Sequence, residues 1–149
     1  MAAIDAWWVE RKAVLDEIFR PEVAPLDRLR GYLDFISQRQ VAAYEATGQV
    51  LGCPLFTLGA EISTQDERIR LRICNFLDCM TDYVERAIAD GQASGDIAGT
   101  DARAEAHFFL AYYEGVLTRA RIENNPEPIC RLSTDALEII GARTVLAAV

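Results

Sequence analysis

The sequence predicts an all-α fold of six helices. Apolar residues recur at helical spacing along most of the chain, no stretch alternates apolar with polar as a half-buried strand does, and prolines and glycines fall at segment ends. With 149 residues, 51% of them hydrophobic, the chain is long enough to bury one core, so residues 1–149 are expected to form a single domain.

The first helix, about Ile4 to Arg20, puts Ile4, Trp7, Trp8, Val14, Leu15, Ile18 and Phe19 on one arc and stops at Pro21. The second starts at Pro25, where a proline's missing N–H costs no helical hydrogen bond, and runs to about Ala46 before Thr47-Gly48. Its apolar stripe is Leu26, Leu29, Leu33, Ile36, Ala43 and Tyr44. A short third helix spans Pro54 to Ile62. Thr64 with Glu67 reads as a capping box for the fourth, which carries Ile69, Ile73, Phe76, Leu77, Met80, Tyr83, Val84, Ala87 and Ile88 at helical spacing. The segment Gly91 to Gly99 should break that helix and be the least ordered part of the chain.

The fifth helix, about Asp101 to Glu123, is apolar in nearly every direction; only His107, Glu114, Thr118 and Arg121 form a narrow polar strip. An all-round apolar helix has to be covered on two sides. A domain this small covers one, so a symmetric homodimer is expected through Phe109, Tyr113, Val116, Leu117 and Ala120 of this helix and Leu132, Ala136, Ile139 and Ile140 of the sixth. The sixth helix is placed at about Glu127 to Leu146, after Asn124-Asn125-Pro126.

Charge excludes one function. The net charge is −8 and the Lys and Arg residues are scattered, so the phosphate-neutralising surface that drives nucleic-acid affinity is missing. No apolar run approaches the roughly 20 residues of a membrane span, and the Met1-Ala-Ala-Ile start lacks a basic signal region, so no membrane role and a cytoplasmic location are expected. Cys53, Cys74, Cys79 and Cys130 show no C-x-x-C spacing, and only one His could join them, so no metal site is expected. They read as small reduced core residues, with Cys53, in a turn, the best placed for thiol sensing. Neither a catalytic constellation nor a cofactor motif is present: a Cys53/His107 pair would lack an orienting third group.

The segment LGCPLFTLGAEI, from Leu51 to Ile62, resembles the GC-x-L-x-x-L-x-x-E signature of the tetracycline-repressor-like (TetR) family of transcriptional regulators. The Gly95-Asp96-Ile97 triplet before the fifth helix, and Gly115 followed by an aliphatic run within FFLAYYEGVLTRAR, extend the resemblance over almost the whole chain. It implies the C-terminal ligand-binding and dimerisation half of such a regulator, with the last two long helices pairing across the dimer as a four-helix bundle. It also implies that DNA is reached only through a helix-turn-helix domain absent from this chain, a fragment being the simplest account, since Trp7 and Trp8 would otherwise lack something to pack on.

Polar residues inside apolar arcs mark candidate ligand contacts. Arg11 lies within the first helix's arc, where it would recognise a carboxylate or phosphate with its fork of donors, or else pair internally with an acidic side chain. Gln40 lies in the second helix's arc, as a ligand contact or an internal hydrogen bond. His107 could orient a ligand from its strip. Trp8, Phe35, Phe56, Phe76, Met80, Tyr83, Phe108 and Tyr112 read as core or as the lining of an apolar cavity. The resemblance favours a pocket between the first five helices, with Arg11, Gln40, Phe56, Phe76, Met80, Tyr83, His107 and Tyr112 as its candidate residues and a small apolar or amphipathic molecule as the ligand. Binding would then lower DNA occupancy by the reader domain. A stand-alone helical dimerisation or docking module, without sensing, is the alternative.

Overall fold

A computed structural model describes residues 2–143, with side chains from Asp5 onward. Six α-helices follow one another: α1 (Ala2–Ile18), α2 (Pro25–Thr47), α3 (Pro54–Ile62), α4 (Glu67–Ser94), α5 (Ala102–Glu123) and α6 (Leu132–Ile139), with a 3-10 turn at Glu127–Arg131 before the last. No strand occurs among the described residues beyond a single bridge between Ile97 and Ala142. One core runs through the bundle. Leu29, Leu33, Phe76, Ile88, Phe109, Ile129, Leu132 and Ala136 are fully buried, and Trp8 stacks on Phe76 with ring centroids 4.8 Å apart.

The helix ends follow local chemistry. Gly48 closes α2 in the left-handed conformation, its N–H bonding to the Tyr44 carbonyl. α4 is capped by Asp66 rather than by Thr64: Asp66 Oδ1 accepts from the backbone N–H of Arg68 at 2.9 Å and of Ile69 at 3.2 Å. A carboxylate serves better there, adding a full charge at the positive end of the helix. Asp101 caps α5 in the same way, accepting from Ala104.

Two elements depart from expectation. α4 continues through Gly91 to Ser94, and the segment after it is packed: Ile97 is buried, and the backbone of Asp96 and Ala98 is hydrogen-bonded to Arg143 and Gly141. Gly91 is needed for this packing, since a Cβ there would lie 2.6 Å from Ile97 Cδ1. Gly91 thus allows close approach, and Gly95 closes α4 in the left-handed conformation. The sixth helix is shorter than expected: Pro126 and Pro128 hold its start in a 3-10 turn, and α6 proper ends before Gly141 at φ +66. Its expected continuation to Leu146 lies outside the described residues.

The expected dimer residues are mostly spent inside the fold. Phe109, Tyr113, Leu117, Ala120, Leu132, Ala136 and Ile140 are buried in the protein's own core, because α2 and α4 cover that face of α5 and α6. Of the nine, only Val116 and Ile139 reach the surface. The apolar face that stays open on α5 is a different one. Phe108 is 62% and Ile122 80% exposed, with Ala111 and Gly115 exposed between them.

Candidate functional site

The Leu51–Pro54 turn is held by its neighbours in sequence and in space. Gln40, one helical turn beyond Ile36 on α2, donates from Nε2 to the Gly52 carbonyl and accepts the Gly52 N–H at Oε1, both at 3.0 Å. Asn124, at the end of α5, donates to the Gly48 carbonyl and accepts from the Val50 N–H. Gly52 itself has φ +71, which favours glycine, and a Cβ there would press on Arg121 Cδ at 3.0 Å. This places Cys53 and Pro54 against α5 and leaves room beside them.

That room is a small, half-open cavity of about 40 Å3, bounded by Trp7 and Arg11 of α1, Tyr32, Ile36 and Gln40 of α2, the Gly52–Pro54 turn, Met80 of α4, and Tyr113 and Leu117 of α5. It is large enough for a few waters. A surface cleft of about 420 Å3 adjoins it, sharing Trp7, Arg11, Gln40, Gly52 and Pro54 and adding Arg39, Ala42, Ala43 and Leu51. Neither space is lined by an Asp or Glu.

Arg11 stands at the junction. Its guanidinium lies between the rings of Trp7 and Phe35, at 4.9 and 5.1 Å from their centroids, and its buried Nη1 has no hydrogen-bond partner. Burial, and to a lesser degree the neighbouring Arg39, lowers its pKa, as is expected of a cation held without a counter-charge. Deeper in, the Tyr32 hydroxyl donates to the Tyr113 oxygen at 3.0 Å. Burial raises both phenols well above their ordinary value, so they serve as neutral hydrogen-bonding groups.

Behind Cys53 and Tyr113 lies Glu114, only 2% exposed, with Oε2 unpartnered. It belongs to the polar strip read from the sequence, but the Cys53–Thr57 segment covers the strip there. Burial raises the Glu114 pKa above its ordinary 4.5, with Tyr113 and Cys53 opposing. A raised carboxyl contributes its full stability below the unfolded pKa and loses it as pH rises. The isosteric, neutral Glu114→Gln should therefore melt higher than the unsubstituted protein near pH ~8, with the gap closing near pH ~4. Equal melting temperatures across that range would show that the carboxyl ionises in the fold without cost. The Cys53 thiol, pushed up to about 12 by burial, is a poor source of thiolate and does not suit reactive sensing. The reading of all four cysteines as core residues fails as well: Cys74 and Cys130 are exposed.

The structure brings Arg11, Gln40 and Met80 together, with Gln40 committed to the Gly52 backbone. The other expected ligand residues lie elsewhere. Phe76 fills the core against Trp8. Tyr83 sits on the surface between Phe19, Lys12 and Asp16. Tyr112 points at Asp135 of α6. His107 is exposed, and Phe56 is 40% exposed in a separate apolar groove between α3 and α4. Sequence reading missed Trp7, Tyr32 and Tyr113 as lining residues. A signal was present in the i, i+4 rows Trp7–Arg11 and Tyr32–Ile36–Gln40, each of which carries one polar side chain along a single ridge.

Residues 25–135 match the family described as "Tetracyclin repressor-like, C-terminal domain". The chain is 28% identical over 131 residues to the transcriptional regulator AcuR of Cereibacter sphaeroides, a match that covers 87% of this chain and 58% of that protein. Three solved structures share the fold: the regulatory protein TetR from Rhodobacter sphaeroides (TM-score 0.76, 24% identity, 93% of this chain and 72% of that one), a TetR-family transcriptional regulator from Agrobacterium tumefaciens (0.78, 22%, 93% and 71%), and reduced NemR of E. coli (0.77, 20%, 97% and 74%).

Proposed function

The chain belongs to the tetracyclin repressor-like C-terminal domain family, and from that premise we infer that it is the ligand-sensing and dimerisation domain of a transcriptional regulator. The observation that carries the sensing reading is the Arg11 guanidinium, its buried Nη1 without a partner, at the junction of a small half-open cavity and a larger surface cleft. An unpaired buried cation costs stability and is retained where something else pairs with it. A small molecule seated there touches α1 and α2 and, through the Gly52–Pro54 turn, α5. Its effect on a reader domain equals its differential affinity for two arrangements of these helices, above all of α1 against the rest.

Dimerisation is assigned to the open face of α5. Phe108, Ala111, Gly115 and Ile122 make an apolar stripe, and with no side chain at Gly115 two copies of the helix can approach closely about a two-fold axis. The net charge of −8 and the scattered Lys and Arg residues disfavour DNA contact by this chain itself, so that contact is assigned to a separate reader domain. The relatives are regulators and no catalytic constellation is seen among the described residues, so no reaction is assigned.

A thermal-shift screen of chemically diverse small molecules tests the sensing reading. A ligand at 100 times its dissociation constant stabilises the fold by about 2.7 kcal/mol, several degrees for a chain of this size, and Trp7→Ala should abolish the shift. A screen without any such molecule would leave a docking module as the better account.

A further inference from the structure

In a chain with 23 acidic and 15 basic residues, two guanidinium groups without a carboxylate partner occur side by side. Arg11 and Arg39 both stack on Phe35, at 5.1 and 5.6 Å, and neither makes an ion pair or a hydrogen bond among the described residues. Both line the same cleft, and no Asp or Glu lines it or the cavity beyond. Of the twelve other arginines, nine are ion-paired at 3.6 Å or less, and Arg86 and Arg121 donate hydrogen bonds to the Asp82 carbonyl and the Thr57 hydroxyl. This cleft is therefore a local cationic site on an acidic protein.

We propose that Arg11 and Arg39 hold the carboxylate of a short-chain monocarboxylic acid, whose apolar tail enters the cavity between Tyr32, Ile36, Met80 and Leu117. The proposal rests on the sensing reading and gives it a ligand class. A planar guanidinium fixed between two aromatic faces matches a carboxylate in a forked, charge-assisted contact. Arg11 is half-buried with its Nη1 fully covered, whereas Arg39 is exposed, so the deep position carries one positive charge, which suits a monoanion better than a phosphate dianion. The tail is limited by space: about 40 Å3 admits a few carbon atoms, and a longer chain would have to displace packed side chains.

Trp7 lines the site, so intrinsic fluorescence and melting temperature both report on it. The 149-residue chain is titrated with propionate, butyrate and octanoate, with propionamide and butyramide, and with inorganic phosphate. Propionate and butyrate should bind; their amides should bind at least about 30-fold more weakly, since a buried cation is then left unpaired. Octanoate and phosphate should also be weaker than butyrate. Arg11→Met should remove butyrate binding with unchanged helicity and an equal or higher melting temperature, because an apolar side chain replaces an uncompensated charge. Arg39→Ala, at the exposed rim, should weaken binding severalfold and reduce its salt dependence. Amides binding as tightly as acids, phosphate binding as tightly as butyrate, or Arg11→Met retaining affinity would each overturn the carboxylate proposal. A neutral molecule that binds and is lost with Trp7→Ala would overturn it while sparing the sensing reading, whereas a diverse screen with no binder at all would end both.

Discussion

Leu117→Glu is expected to unfold the protein instead of merely separating two subunits. Leu117 is 2% exposed and lines the cavity with Met80 and Tyr113. A carboxylate placed there loses its hydration in the core and displaces packed apolar contacts, at a cost of about 5 kcal/mol, comparable to the whole stability of many domains. The helical circular-dichroism signal at 25 °C should be largely lost, or survive only with a molten, broad transition. Ile122→Glu, at an 80% exposed site on the same helix, should keep native helicity and convert a dimer to monomers in sedimentation velocity. A folded, monomeric Leu117→Glu would return the interface to the face that the structure places in the core.

Arg28→Ala should be the most costly change of any surface-proximal charge. Arg28 is 5% exposed and ties three segments: Nε donates to the Val23 carbonyl at 2.7 Å, Nη2 to the Pro21 carbonyl at 2.8 Å, and Nη1 to Asp90 of α4 at 2.6 Å. The two carbonyls belong to the turn that joins α1 to α2. Losing charged hydrogen bonds to both costs roughly 3 kcal/mol, which corresponds to a melting-temperature drop of about 10 °C for a domain of this size. The Asp90 pair adds less, since that carboxylate is 56% exposed. Arg30→Ala, which removes a pair with Asp27 whose members are 52% and 63% exposed, should change stability by less than about 0.5 kcal/mol. Equal effects from the two substitutions would show that the α1–α2 turn is not anchored by Arg28.

The helices were legible because their signals are local: period, Pro25 and Pro54 in first turns, and Gly48 after α2. The family signature was legible for the same reason, since Gly52, Cys53 and Pro54 each have a backbone role in one turn. What stayed hidden depends on which neighbour covers which face. Phe109, Tyr113 and Leu117 are equally apolar whether they meet a second subunit or α2 and α4, and a helical wheel does not tell these apart. Glu114 read as part of a polar strip with His107, and nothing in its own helix shows that the Cys53–Thr57 segment lies across it. Gln40 had two readings, and only the position of Gly52, twelve residues on, decides between them. Arg11 was identifiable because its type conflicts with its own arc, whereas the pairing of Arg11 with Arg39 needs the angle between α1 and α2.

The most direct measurement of the central claim is amide hydrogen exchange with and without a saturating small molecule found by thermal shift. If the cleft at Arg11 is the sensing site, added protection will concentrate in α1 around Trp7 to Leu15 and in the Val50–Leu55 turn, because both close on the ligand. Protection confined to the groove between α3 and α4 around Phe56 and Leu77, with α1 exchanging as before, would contradict it.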